Sequence, residues 1–161
     1  EKLGMYAFKG CEGITSITIP KTLTGSGSNP FMGTGIETVT FEEGATEVPG
    51  NMFANCHMLK TVNMPQNIKK IGYSAFEDCD ALTEINLPYY VETIGQYAFK
   101  DCSSLESITL PFVGSSRTAS GTHDAVFGYI FDYETSNLFA VCRNTMIYLV
   151  FENSLSKVLF C

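Results

Sequence analysis

Apolar and polar residues along this chain fall into a pattern that returns every 22 or 23 residues. Phenylalanine marks it most clearly: Phe8, Phe31, Phe53, Phe76 and Phe99 stand 23, 22, 23 and 23 residues apart. Ala precedes three of them, at Ala7, Ala75 and Ala98. Cys11, Cys56, Cys79 and Cys102 each follow a Phe by three residues, and Thr34 takes that place in the second unit. Each unit then enters an alternating apolar stretch, as in Leu59, Val62 and Met64, Leu82, Ile85 and Leu87, or Leu105, Ile108 and Leu110. The first two units do the same with Ile14, Ile17 and Ile19 and with Ile36, Val39 and Phe41. Pro20, Pro65, Pro88 and Pro111 close the stretch, and Glu42 stands in for Pro in the second unit. A second apolar pair ending in Gly follows, Ile68 with Ile71-Gly72 and Val91 with Ile94-Gly95.

Such a pattern predicts a stack of similar coils. The two-residue step in Ile85-Asn86-Leu87 puts both apolar side chains on one face of a short strand. Pro ends the strand because it offers no N–H to a ladder. Gly72 and Gly95 permit a tight corner, and Ala-Phe-x-x-Cys predicts a short 3₁₀ or helical piece. No coil can bury its apolar face alone, so coils stack at the strand spacing of about 4.8 Å into one parallel sheet and one continuous core. Residues 1–111 carry the clean repeats, apart from a loose linker at Thr24 to Pro30. Residues 112–153 form an irregular, aromatic-rich stretch, and 154–161 begin a further repeat strand through Leu155, Val158 and Phe160. The chain starts and stops partway through a unit, which reads as a piece of a longer, processed or excised array.

The run Ile71-Gly72-Tyr73-Ser74-Ala75-Phe76-Glu77-Asp78-Cys79 followed by Leu82, Ile85, Leu87 and Pro88 resembles the BspA-like leucine-rich repeats. These are found mainly in bacterial surface proteins and some parasitic protists. The resemblance covers residues 3–111 well and returns weakly at 154–160. It implies a leucine-rich-repeat solenoid of the α/β type, mostly β: a right-handed coil of about 23-residue repeats. One parallel sheet would line one side, with short 3₁₀ or helical turns opposite. It also implies an extracellular or cell-surface setting and an adhesion-type interaction role, with a structural spacer as the alternative. No enzymatic activity is implied.

Composition narrows the classes. Hydrophobic residues make up 45 % of the chain and charged ones 17 %, which supports a packed core rather than disorder. A net charge of −7 repels phosphate backbones, so nucleic acid is not expected as a partner. The longest strongly apolar run, Met146 to Phe151, is far short of the roughly 20 residues of a membrane span, and no membrane insertion is expected.

Three features are candidates for chemistry. The outward face of the sheet carries two polar rows, Thr18, Thr40, Asn63, Asn86 and Thr109 beside Ser16, Thr38, Thr61, Glu84 and Ser107. Of these, Thr38, Thr40, Thr61, Asn63, Glu84, Asn86, Ser107 and Thr109 form the expected ligand face, able to hydrogen-bond an extended protein or glycoprotein. The plainer reading is that Thr simply suits a solvated strand. The rows hold no aromatic platform for a sugar. The irregular stretch supplies Arg117, His123, Tyr129 and Tyr133 as a second, loop-borne candidate. Its plainer reading is a longer coil whose aromatics join the core. The Cys column reads as buried free thiols acting as small apolar residues. No metal or cofactor is expected, since no Cys-x-x-Cys occurs and stacked side chains do not converge. Cys142 and Cys161 lie off the column, and their pairing stays open. Catalysis finds no foothold in His57 beside Cys56 or in His123-Asp124, neither being a triad arrangement. The open end of a stack is also a candidate for end-to-end or edge-mediated self-association.

Overall fold

The computed structural model describes residues 1–112, 115, 116, 118 and 129–131, together with the backbone pairing of 146–151 and 154–159. Twelve short strands occur among them. In chain order these are β1 (Lys2–Leu3), β2 (Ser16–Ile19), β3 (Gly25–Ser26), β4 (Thr38–Phe41), β5 (Glu47–Val48) and β6 (Thr61–Asn63). Then come β7 (Lys70–Ile71), β8 (Glu84–Asn86), β9 (Thr93–Ile94), β10 (Ser107–Leu110), β11 (Met146–Phe151) and β12 (Ser154–Leu159).

The alternating stretches build parallel runs. β2, β4 and β6 pair in order, with Ile17, Val39 and Val62 opposite one another. β8, β10 and β11 do the same through Ile85, Ile108 and Ile147. The hydrogen-bonded ladder is interrupted between β6 and β8.

A single parallel sheet was the expectation, and the structure corrects it. A second, two-residue-wide parallel ladder runs along another side of the coil: β5, β7 and β9 pair through Val48, Ile71 and Ile94. β1 pairs with β3 in the same manner. The stretch expected to be a loose linker therefore sits in register, with Ser26 opposite Leu3. The late strand also differs. The parallel successor of β10 is β11, and β12, which contains Leu155 and Val158, returns antiparallel with Val158 opposite Ile147. Only two residues separate β11 from β12, a connection long enough for a hairpin and far too short for a parallel crossover.

The Ala-Phe-x-x-Cys segments are chains of hydrogen-bonded turns rather than the expected 3₁₀ or helical pieces. Alternate N–H groups leave the coil and reach the next one: Phe53 N–H donates to Ala75 O at 2.9 Å and Phe76 N–H to Ala98 O at 2.9 Å. Asn55 N–H reaches Glu77 O at 2.8 Å and Asp78 N–H reaches Lys100 O at 2.9 Å in the same sense. A helix would turn those N–H groups back on its own carbonyls. The geometry requires left-handed residues on both sides of Phe. Two residues after each Phe stand Gly10, Gly33, Asn55, Asp78 and Asp101, all with positive φ. Two residues before stand Tyr6, Asn29, Asn51, Ser74 and Tyr97, also with positive φ. Gly, Asn and Asp tolerate that region best.

Ser74 is a strained member of that column. Its φ is +48°, and its hydroxyl is buried without a hydrogen-bond partner. Replacing Ser74 by Gly relieves the left-handed strain and removes the orphaned hydroxyl, against some added freedom in the unfolded chain. We expect Ser74→Gly to stabilise the fold by about 1 kcal/mol in urea unfolding; a loss of stability would show that the Ser74 side chain fills needed space.

The core is a column of phenyl rings. Phe8, Phe31, Phe53, Phe76 and Phe99 stack nearly parallel, with centroids 5.2, 5.6, 5.7 and 5.5 Å apart. Phe31 to Phe99 are fully buried. Phe131 continues the column at 6.5 Å from Phe99, tilted by 46°. Tyr97 N–H donates to Tyr129 O and Phe99 N–H to Ile130 O, each at 2.9 Å, so Ile130-Phe131 occupies the place of Ala98-Phe99 one coil further on. The stack thus resumes inside the stretch that reads as irregular. Of its aromatics, Phe112 and Phe131 join the core.

Gly72 and Gly95 serve a purpose other than a left-handed corner, since neither has a positive φ. A Cβ on Gly72 would collide with Gly50 N, and one on Gly95 with Tyr73 N. The neighbouring coil's backbone fills the space that a side chain would need. Gly72→Ala forces two coils apart, and we expect it to cost about 2–3 kcal/mol, the upper range for overpacking. Gly13→Ala is the control, since no atom lies within 4 Å of its Cβ position. Equal melting temperatures for the two variants would contradict the close approach.

Candidate functional site

The short ladder ends at β9, and its outer edge is taken. Ile94 N–H donates to Ser115 O at 2.8 Å, and Thr93 pairs with Ser116 in an antiparallel bridge. The chain leaving β10 has therefore folded back across the side of the solenoid. Where it meets the ladder lies a pocket of about 340 Å³. Lys70, Ile71, Gly72 and Tyr73 line it from the start of the fourth coil, and Thr93, Ile94 and Gly95 from the start of the fifth. Ser115, Ser116 and Tyr129 complete it.

The lining mixes three kinds of group. Ile71 and Ile94 are buried, so they form an apolar floor. Tyr73 is 50 % exposed and stands in a T-shaped contact with Tyr97, with ring centroids 5.7 Å apart. Thr93, Ser115 and Ser116 bring small hydroxyls to the lining. Lys70 is exposed and makes no ion pair with a described residue, whereas its neighbour Lys69 is held by Glu92 at 3.1 Å. A pocket with an apolar floor, aromatic walls and a few hydroxyls has the ordinary make-up of a small-ligand site, and its volume lies at the lower end of their usual range of about 300–1,000 Å³.

The sheet face is arranged as its sequence rows imply. Thr38 stands between Ser16 and Thr61, and Thr40 between Thr18 and Asn63. Glu84 and Asn86 stand opposite Ser107 and Thr109. Thr61, Asn63, Glu84 and Asn86 are exposed, while Thr38, Thr40, Ser107 and Thr109 are half-buried. Part of its hydrogen-bonding capacity is used internally: Asn63 Nδ2 donates to Thr40 Oγ1 at 3.2 Å, and Asn86 Nδ2 to Glu84 Oε1 at 2.7 Å.

The Cys column is set by the core. Cys56 Sγ donates to Phe31 O at 3.3 Å, Cys79 Sγ to Phe53 O at 3.3 Å and Cys102 Sγ to Phe76 O at 3.1 Å. Each thiol thus fastens its coil to the preceding Phe carbonyl. Burial pushes Cys56 and Cys102 up to about 12 and Cys79 well above its ordinary value. A thiol held neutral this firmly is a poor nucleophile. His57 does not face Cys56; its Nδ1 lies 2.8 Å from Asp80 Oδ2, and Ser103 Oγ donates to Asp80 Oδ1 from the other side at 3.0 Å. No group of three or more metal-binding side chains occurs among the described residues.

The BspA type leucine rich repeat region, in six copies, matches residues 1–118. The chain belongs to that family. This BspA-type solenoid is similar to a solved leucine-rich repeat protein from Bacteroides ovatus, at 29 % identity and a TM-score of 0.55. The match covers 68 % of this chain and 35 % of that one. It is also similar to the pneumococcal vaccine antigen PcpA, at 23 % identity and a TM-score of 0.55 over 61 % of this chain and 24 % of that one. A leucine rich cell surface protein from Faecalibacterium prausnitzii matches at 23 % identity and a TM-score of 0.48, covering 98 % of this chain and 46 % of the other. The chain spans about a third of the first of these proteins and a quarter of the second. No curated protein matches it. No helix among the described residues is long and apolar enough to cross a membrane.

Of the loop residues expected to bind, Tyr129 lines the pocket of this BspA-type chain, half-buried. Arg117, His123 and Tyr133 lie outside the described residues. Lys70, Tyr73, Thr93, Ser115 and Ser116 had no place in the sequence reading. One signal was present. The column three residues before Phe reads Met5, Ser28, Gly50, Tyr73 and Gln96, and Tyr73 is its one aromatic.

Proposed function

We propose that this chain is an interaction module of a bacterial surface protein and binds a protein or glycoprotein of a host or neighbouring cell. The pocket at the return of residues 115–116 carries the reading, because it joins exposed aromatic, hydroxyl and cationic groups on a rigid stack. Tyr is favoured in such places for its large contact area and low ordering cost. Membership of the BspA-type family supports an extracellular or cell-surface setting. The polar sheet face is the second surface on which a partner can lie, through Thr61, Asn63, Glu84 and Asn86.

A spacer role is the second reading, favoured by the unbroken column of rings from Phe8 to Phe99, which makes a stiff rod. A surface-plasmon-resonance screen of the chain against matrix glycoproteins and mucins separates the two. Saturable binding that weakens on Tyr73→Ala assigns the partner to the pocket. Binding that weakens only on Thr61→Ala with Asn86→Ala assigns it to the sheet face. A folded chain that binds nothing in the screen is a spacer.

A further inference from the structure

We infer that the pocket beside β9 takes an acidic sugar, a hexuronic or sialic acid residue at the end of a glycan chain; this rests on the interaction-module reading and names its ligand class. An extended peptide is usually gripped by adding a strand to a free sheet edge. At β9 that edge is already consumed by Ser115 and Ser116, through the Ile94 N–H to Ser115 O hydrogen bond and the Thr93–Ser116 bridge. Recognition here therefore falls to side chains around an open pocket of about 340 Å³ rather than to a strand-long groove.

Tyrosine rings offer flat apolar faces that suit the C–H surface of a pyranose, and Tyr73 and Tyr129 both line the pocket. Thr93, Ser115 and Ser116 present hydroxyls that match sugar hydroxyls as both donors and acceptors. The aromatic platform that the sheet face lacks is present here.

The chain carries a net charge of −7, so a polyanion is repelled at long range. One cation nonetheless stands in the pocket lining. Lys70 has no ion-pair partner among the described residues, and Glu47, its neighbour in the ladder, comes from the coil on the side away from Thr93. A single ammonium in an acidic surround selects a single carboxylate. A sugar carboxylate provides one, with hydroxyls around it.

Isothermal titration of the chain with the methyl glycosides of glucuronic acid, N-acetylneuraminic acid and glucose tests this. The acidic glycosides, or one of them, should bind saturably and more tightly than glucose. Lys70→Gln should lower that affinity about tenfold, as expected for loss of one charge-assisted hydrogen bond, and bring it to the level of the neutral sugar. Tyr73→Ala should weaken acidic and neutral sugars alike, and Lys70→Arg should retain binding. Circular dichroism melting of each variant keeps a folding defect separate from a binding defect. Equal binding of acidic and neutral sugars, or acid binding untouched by Lys70→Gln, overturns the inference. If no glycoside binds but a protein ligand from the screen does, the sugar assignment fails and the interaction module stands. If neither binds, both fall.

Discussion

Phe76→Ala should destabilise the solenoid by about 3–5 kcal/mol, the usual range for truncating a buried phenyl ring. The ring lies between Phe53 and Phe99, with centroids 5.7 and 5.5 Å away and both neighbours nearly parallel to it. No side chain can swing in to fill the gap, because the flanking rings are fixed by their own coils. In a stacked array each coil is stabilised chiefly by its neighbours. The gap therefore weakens two interfaces at once and falls in the middle of the ring column. Urea unfolding should show a lower midpoint and a broader transition as the two halves begin to melt separately. Phe76→Leu refills most of the space and should cost about 1–2 kcal/mol. A loss below about 1 kcal/mol for Phe76→Ala would put the ring outside the core and break the repeat register on which every other assignment depends.

That register was legible because the Phe, Cys and Ile columns have one physical cause each, burial in the stack, which is complete from Phe31 to Phe99 and from Cys56 to Cys102, while Phe8 is half-buried and Cys11 exposed. Side-chain type reports burial directly, so Phe31, Cys79 and Ile85 announce themselves. What escaped was set by backbone. Gly10, Gly33, Asn55, Asp78 and Asp101 share a column, and a column limited to Gly, Asn and Asp is the mark of left-handed φ rather than of a helix. The second ladder is two residues wide, too short for an alternating pattern to show. β12 has the same period-two pattern as a parallel strand, since side-chain alternation carries no information about direction; the two-residue connection from β11 did carry it. Phe131 was missed because it follows Phe99 by 32 residues rather than 23. The pocket was the least legible of all. Lys70, Thr93 and Ser116 are ordinary surface residues in the sequence, and only the return of the chain onto β9 brings them together.

The three buried thiols make a prediction of comparable size in alkaline solution. Their ordinary value is about 9, and in the fold burial holds Cys56 and Cys102 at about 12 and pushes Cys79 well above its ordinary value. Below pH 9 both folded and unfolded chains carry the thiol protons, and the full stability is present. Above it the unfolded chain sheds protons that the native chain keeps, so the unfolded state gains free energy of ionisation and stability falls as pH rises toward the folded values. Each thiol contributes up to about 1.4 kcal/mol per pH unit, so the three together give a slope of about 4 kcal/mol per unit between roughly pH 10 and 12. Urea unfolding measured at half-unit steps reads that slope. Cys79→Ala should reduce it by about a third, while its loss of the Sγ to Phe53 O contact lowers stability by the same amount at every pH. Comparing the two proteins at each pH cancels the titrating groups that Cys79 does not touch, so the difference reports this thiol together with its coupling to Cys56 and Cys102. Parallel curves for the wild type and Cys79→Ala would mean that Cys79 ionises as readily in the stack as in the unfolded chain, which a side chain sealed between the Phe column and the next coil cannot do.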